Sequence, residues 1–280
     1  MARVRVVTDS ACDLPPALAG EHGVAVVPLS IRFGSEEFTD GSAIPPEEFW
    51  ARCAASPVLP ETSAPSPGAF QEAFLAASEQ GYDGVVCVTL SAGVSATFQA
   101  ARTAADLVAD RIPVRVIDSR SMTMGQGLIV LDAAELADTG ADLDEVAERV
   151  EGLLGRTTVL GVVDTLEHLE KGGRIGGARA LLGSLLSIKP VVICRDGVVA
   201  EESKQRTRSK SLRYLADRAK NAGELSRIAV CNGAATDIDV FMEMVSDVKS
   251  EHPLVLVDLG PVVGTHTGPG TVGLCFIKPA

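Results

Sequence analysis

Aromatic residues make up only 4% of this 280-residue sequence, although hydrophobic residues reach 46%. A core built from it is therefore aliphatic. An apolar cavity in such a core has Val, Leu, Ile and Ala walls, which suit an alkyl chain better than a nucleobase that needs rings to stack on. Positive charge is also scarce: 25 Lys and Arg against 37 Asp and Glu leave a net charge of −12. Such a chain repels nucleic acid and anionic membrane surfaces, so neither is expected as a general partner. The six cysteines (Cys12, Cys53, Cys87, Cys194, Cys231, Cys275) form no C-x-x-C pair, and the four histidines (His22, His168, His252, His266) lack metal-ligand spacing. No metal or redox site is expected. Cys87, inside Val85-Val86-Cys87-Val88, acts as a small hydrophobe, a usage that fits a reducing, cytoplasmic setting. No apolar run approaches the length of a membrane span, and the start Met1-Ala2-Arg3-Val4-Arg5 does not read as a signal peptide. A Walker A motif is missing. Gly268 to Gly273 satisfies G-x-G-x-x-G, but a proline sits inside the turn and no helix can start so near the end, which excludes a dinucleotide site.

What is present is an alternation. Short Val/Ile-rich runs (Val4–Val7, Val24–Ile31, Gly84–Thr89, Val114–Ile117) separate amphipathic runs (Pro15–Glu21, Pro46–Ala54, Pro67–Ser78, Ser95–Ala109). Strand, helix, strand at this spacing predicts βαβ units and a parallel sheet. Two helices, Thr123–Asp138 and Asp142–Leu154, follow and could join two halves. The second half changes style. Strand runs Ile188–Cys194 and Val198–Glu202 flank Arg195-Asp196-Gly197, and Asp-Gly is a strong hairpin signal. Further elements are a strand at Thr157–Val162, a helix at Ser209–Asn221, a strand at Arg227–Cys231, a helix at Ala235–Lys249, and strands at Leu254–Asp258 and Thr271–Ile277. The expectation is an α/β protein of two domains, 1–155 with a parallel sheet and 156–280 with a mixed sheet, and a ligand cleft between them.

Six loops carry polar chemistry. Thr8-Asp9-Ser10-Ala11-Cys12-Asp13-Leu14 follows the first strand, where open α/β sheets form their binding crevice, yet Ser10 or Asp13 could equally cap the next helix. In Glu61-Thr62-Ser63-Ala64-Pro65-Ser66-Pro67, helix capping accounts for Ser66 and Pro67 and leaves Thr62 and Ser63 as functional candidates. Thr89 to Thr97 lies ahead of an Ala-rich helix, whose start offers free N–H groups and a positive dipole end to a carboxylate or phosphate; Ser95 can cap that helix as well. Leu169 to Gly177 holds four glycines with Lys171 and Arg174, either an anion cradle or a flexible turn. Lys204 to Lys210 is a basic island, either a solvated face or a docking patch for an acidic partner. The tail Gly260 to Gly270 gathers glycines, prolines, Thr265, His266 and Thr267: either a loop whose glycines admit a bound group to the threonine hydroxyls and the imidazole, or a tight turn before the last strand.

Taken together, Thr8-Asp9-Ser10 with Asp13-Leu14, Thr62-Ser63 with Pro65-Ser66, Ser91 through Thr97, Asp118-Ser119, Lys171-Gly172-Gly173-Arg174-Ile175, Lys189-Pro190 and Gly264 through Gly270 resemble the DegV family of bacterial fatty-acid-binding proteins, which includes the FakB subunits of fatty acid kinase. The resemblance runs nearly end to end. It implies a two-domain α/β fold with a long-chain fatty acid in an apolar tunnel between the domains, and no cofactor. It implies head-group contacts from Thr62 or Ser63, Ser91, Ser95, Ala96, His266 and Thr267. It further implies that the protein is not itself an enzyme: it would present the carboxylate to a separate ATP-dependent fatty acid kinase subunit, docked through Arg174, Arg206 and Arg208, for phosphorylation to an acyl phosphate in phospholipid synthesis. Transient membrane contact would serve ligand exchange. The chain departs from the family pattern in having Ala92 after Ser91, Ala96 after Ser95, and Gly176 after Ile175, which thins the supply of hydroxyls.

The chemistry is consistent on its own terms. Burying a tail of roughly fourteen methylenes at about 0.8 kcal/mol each is worth on the order of 11 kcal/mol before ordering costs, while the polar loops fix which end points outward. One rival remains. Ser95, Asp258 and His266 stand in the chain order of an α/β-hydrolase triad; β-branched Thr97, two residues past the serine, fits a nucleophile elbow poorly.

Overall fold

A computed structural model describes residues 2–41, 44–56 and 58–279. Up to residue 118 the chain runs β1 (Val4–Asp9), α1 (Pro16–Glu21), β2 (Ala25–Val27), β3 (Ser30–Phe33), β4 (Glu36–Thr39), α2 (Pro46–Ala55), β5 (Glu61–Ser63), α3 (Pro67–Glu79), β6 (Gly84–Thr89), α4 (Thr97–Leu107) and β7 (Val114–Asp118). Helices α5 (Thr123–Asp138) and α6 (Leu143–Leu154) follow. The remainder runs β8 (Thr157–Val162), α7 (Glu167–Lys171), a 3-10 stretch at Gly176–Ser187, β9 (Lys189–Arg195), β10 (Val198–Gln205), α8 (Arg208–Lys220), β11 (Arg227–Gly233), α9 (Ile238–Val245), β12 (Val255–Asp258), α10 (Pro261–Thr267) and β13 (Thr271–Ile277).

Strands β2-β1-β6-β7 form a four-stranded sheet with parallel pairing throughout. Every residue of β6 is buried, as a central parallel strand covered on both faces requires. A six-stranded sheet, β10-β9-β8-β13-β11-β12, is antiparallel except for β11 with β12. Its first hairpin turns at Asp196-Gly197, both with positive φ (51° and 81°), the backbone that a two-residue type I′ turn demands. The α/β class and the parallel-then-mixed order follow the sequence expectation.

Three local readings are corrected. The run Val24–Ile31 is not one strand. Pro28 has no N–H to donate; the chain leaves the parallel sheet there, and β3 starts a separate antiparallel sheet of order β4-β3-β5. Glu61-Thr62-Ser63, read as a loop, is β5 of that sheet. The tail read as a tight turn is a helix, α10, with Pro261 at its first position and Gly268 ending it at φ 79°.

Helix α5 sits between the two larger sheets, touching β1 and β6 on one side and β8, β11 and β13 on the other. Its first twelve residues, Thr123 to Ala134, are all buried, as befits a helix without a solvent face. Close approach depends on glycine here: a Cβ at Gly125 would collide with Val159 and Ser121, and one at Gly127 with the Cys12 carbonyl. Within this packing Gln126 donates Nε2–H bonds to Thr8 Oγ1 (2.9 Å) and Asp9 Oδ2 (3.1 Å). Asp9, fully buried, also accepts from the N–H of Leu90 (2.7 Å) and of Ala11 (3.1 Å).

Burial pushes the Asp9 carboxyl up to about 7 against the opposing pull of these hydrogen bonds, and burial likewise lifts nearby Asp40 to about 6. A carboxyl raised in the native state holds its proton more tightly folded than unfolded. Its contribution to stability is therefore full below the ordinary carboxyl value of 3.8 and declines as pH rises towards about 7. Urea midpoints should accordingly drop between pH 5 and pH 7.5, and drop less in Asp9→Asn; equal drops in the two proteins would show that Asp9 ionises normally.

Candidate functional site

The loops at the carboxyl ends of β2, β6 and β7, the edge of β5, the turn after α7, strand β10 and helix α10 converge on one cavity of about 160 Å3; the Thr8–Leu14 loop after β1 does not line it. Most of its wall is aliphatic, with Leu29, Met122, Leu169, Val199, Val262 and Val263 contributing. Its polar side chains are Thr62, Ser95, Arg174, His266 and Thr267. Among the described residues, no acidic side chain lines it.

Each polar group is placed by local structure. Thr62 stands between exposed Glu61 and Ser63 on β5, and strand alternation turns it inward. Its Oγ1 lies 2.9 Å from His266 Nε2. His266 occupies the last turn of α10. A Cβ on Gly172 would collide with His266 Nδ1, so only glycine lets the turn after α7 come this close. His266 Nδ1 is buried and has no partner among the described atoms. Burial, with smaller contributions from Arg174 and His168, lowers its pKa to about 4, so the ring is neutral at physiological pH. Arg174 is half-buried and spans the rim, its Nε–H donating to the Val94 carbonyl (3.2 Å) and its Nη1–H to the Gly172 carbonyl (2.7 Å). Ser95 precedes α4; its Oγ accepts from the Thr97 N–H (3.3 Å) and lies 2.8 Å from Thr97 Oγ1. Serine hydroxyl and helix start thus coincide, with Ala96 beside them in the wall.

Not all the residues expected to meet do so. Ser63 faces outward on β5. Ser91 is fully buried but absent from the cavity wall. Its hydroxyl donates to the Gly197 carbonyl (2.7 Å), tying this loop to the β9–β10 hairpin. Ala92 is exposed, and its N–H donates to Asp118 Oδ1 (3.1 Å). Arg174, which the sequence offers to an anion cradle and the resemblance to partner docking, stands in the cavity wall. Arg208, assigned to the same role, is held by Asp237 through two bonds (3.0 and 2.9 Å) and by Asp164 (3.1 Å), and Arg206 is exposed. The hydrolase order Ser95, Asp258, His266 does not assemble: Ser95 pairs with Thr97, His266 with Thr62, and Asp258 lies exposed in a different cleft. No His, Cys, Asp and Glu cluster among the described residues could hold a metal, and no helix among them is long and apolar enough to cross a membrane.

Sequence reasoning missed Leu29, Met122 and Val199. Only Val199 had a signal, its place just after the Asp-Gly turn. Met122 is positioned by its neighbour. Thr123 adopts φ 46°, an outlier for a β-branched residue, and is kept there by a hydrogen bond from its Oγ1 to Asp13 Oδ2 (2.5 Å). Asp13 also accepts from the N–H of Gly260, where α10 begins, and a Cβ at Gly260 would strike its Oδ1. One half-buried carboxyl thus ties the start of α5 to the start of α10.

The arrangement can hold an amphiphile whose apolar body fills the aliphatic wall and whose anionic head meets Arg174, the hydroxyls and a neutral imidazole. The family model described as "Uncharacterised protein, DegV family" matches residues 3–279. A DegV domain-containing protein of Halalkalibacterium halodurans is 34% identical over 280 residues, covering 99% of each chain. Among solved structures, a DegV family protein from Thermus thermophilus described as fatty acid binding superposes with a TM-score of 0.90 at 32% identity, covering 99% of this chain and 100% of its own. A stearic-acid-binding protein from Eubacterium ventriosum gives 0.86 at 30% identity, covering 99% and 98%.

An NMR titration of the imidazoles should find His266 neutral down to about pH 4 in the ligand-free protein; a midpoint near 6.5 would mean that the ring is solvated rather than enclosed. Gly172→Ala should raise that midpoint by displacing the ring.

Proposed function

The chain belongs to the DegV family, and from that premise we propose that it binds a long-chain fatty acid in the aliphatic cavity, carboxylate at the rim. The observation that carries this reading is the composition of the wall among the described residues: aliphatic side chains, a single cation in Arg174, and no acid. A carboxylate leaving water needs several donors, and Arg174, Ser95 and Thr62 supply them, with Ala96 and Thr267 shaping the same rim. The Thermus and Eubacterium neighbours, described as binding fatty acid and stearic acid, support the ligand class.

We further propose a role that the resemblance to the FakB subunits suggests. The protein acts as a carrier, not as the catalyst. Two lobes, 1–155 and 156–280, close around the acid and offer its carboxylate to a separate kinase subunit, which transfers a phosphoryl group from ATP to give the acyl phosphate and ADP. Exposed Arg206 is the docking contact, with Lys204 and Lys210 beside it. Arg208, held by Asp237 and Asp164, shapes that surface rather than reaching out from it. The carrier works in the cytoplasm and meets membranes only transiently, to exchange its cargo.

Protein purified natively from bacteria should release one equivalent of fatty acid into organic solvent, detected by mass spectrometry; no released acid and no uptake of added oleate would end the proposal. Ser95→Ala should weaken retention by about 1–3 kcal/mol, roughly 5- to 150-fold. Arg206→Glu should leave ligand affinity unchanged while abolishing acyl phosphate formation by the kinase.

A further inference from the structure

The two larger sheets each end in a strand at this protein's surface. Strand β2 ends the parallel sheet and β12 ends the mixed one. Both border a single cleft of about 890 Å3, through Val26 of β2 and through Leu256, Val257 and Asp258 of β12. Six large hydrophobic side chains are exposed among the described residues, and two of them, Val26 (39%) and Leu256 (48%), line this cleft. Six prolines line it as well, Pro28 and Pro261 among them. Their rings add apolar surface and bring no N–H to compete for a bound backbone.

The backbone of β12 has a free side. Just past the strand, the Leu259 N–H donates to the Asn232 carbonyl of β11 (2.9 Å), and the parallel register sets Cys231 beside Val257 and Asn232 beside Asp258. Along a strand, alternate residues turn their N–H and C=O groups to the same edge. Val255 and Val257 therefore face β11 as Leu259 does. The N–H and C=O groups of Leu256 and Asp258 point the other way, where β12 has no paired strand among the described residues. An edge of this kind is a template for one more strand.

Charge decides which strand fits. Among the described residues the cleft is lined by Asp13 and Asp258 and by no Lys, Arg or His. Asp258 is exposed and shares a face of β12 with Leu256, two residues away. Pairing β12 with its counterpart in a second copy would bring two such acids to one edge, in a protein of net charge −12, and like charges across a strand pair are destabilising. A basic strand turns the same acids into attraction.

We propose that the β12 edge is a docking site for an extended segment of a partner protein, which joins the six-stranded sheet as one more strand. On the face turned to the cleft, that segment carries an aliphatic residue to cover Leu256 and Val26 and, two positions away, a Lys or Arg to meet Asp258. Among the described residues, none lines both this cleft and the aliphatic cavity, so the docking site stands apart from the fatty-acid reading and does not depend on it.

The test uses synthetic peptides of about eight residues, long enough for one strand, titrated into the full-length protein by fluorescence anisotropy. One peptide alternates threonine with valine and lysine in turn. A second has glutamate in place of lysine, and a third is the lysine peptide N-methylated throughout, which removes its backbone donors. The lysine peptide should bind at least about fivefold more tightly than the glutamate peptide, and the N-methylated one should not bind. Asp258→Lys, at an exposed position, should invert the preference. Amide hydrogen exchange reads the pairing itself. The Leu256 and Asp258 amides should exchange freely in the protein alone and become protected when the lysine peptide saturates it, while Val257, turned to β11, is protected in both. No binding of the lysine peptide, equal binding of all three peptides, or free exchange at Leu256 and Asp258 in the saturated complex overturns the proposal. So does sedimentation of the protein alone as a dimer with those two amides protected, because a second copy would then hold the edge.

Discussion

Gln126 reaches from the buried stretch of α5 to Thr8 and Asp9, and this amide-to-carboxylate contact is what joins helix, parallel sheet and ligand cavity into one unit. The same Asp9 carboxylate accepts from the N–H of Leu90, a cavity-wall residue at the end of β6. A polar cluster this deep specifies position more sharply than apolar packing does, because each member left without its partner costs the full desolvation of that group. Aliphatic side chains around it supply most of the burial, but they tolerate sliding. The hydrogen bonds do not, so they set where the Ser91 to Ala96 loop begins and hence where Ser95 stands.

The architecture was legible in the sequence wherever periodicity was strong. The all-buried run Gly84–Thr89, the Ala-rich helix after it and the Asp196-Gly197 turn read directly as the elements they are. The failures have physical causes. Pro28 splits a continuous apolar run because a missing N–H outweighs strand propensity. Gly260 to Gly270 reads as a turn from composition, yet Pro261 starts a helix and Gly268 ends it, so the small residues mark the limits of α10 and its close packing, with a Cβ at Gly264 crowding Trp50. For the cavity, Thr62, Ser95, His266 and Thr267 lay in loops that composition had singled out. Arg174 lay in the Gly-rich loop that composition had offered as an anion cradle, whereas Met122 and Leu29 come from segments whose approach depends on tertiary packing, which no local pattern encodes.

The electrostatics of the cavity follow from what surrounds His266. Enclosed by α10, β5 and the glycine turn after α7, the ring is neutral and leaves Arg174, among the described residues, as the only fixed positive charge in the wall. In an acidic protein of net charge −12, an acid-free cavity with one guanidinium is a local inversion of sign. For the proposed ligand, that inversion favours an anionic head group over a neutral one, and the aliphatic wall beyond it favours a lipid over a small carboxylate.

Asp13 holds both the left-handed Thr123 and the first amide of α10. Positions 13, 123 and 260 therefore constrain one another although they lie far apart in the chain. A larger residue at 260 needs a shorter one at 13, and a shorter one at 13 releases the backbone strain at 123. Tolerated substitutions in this trio must arise in concert. Among divergent descendants of this chain, covariation at these three sites should outlast the overall similarity of their sequences.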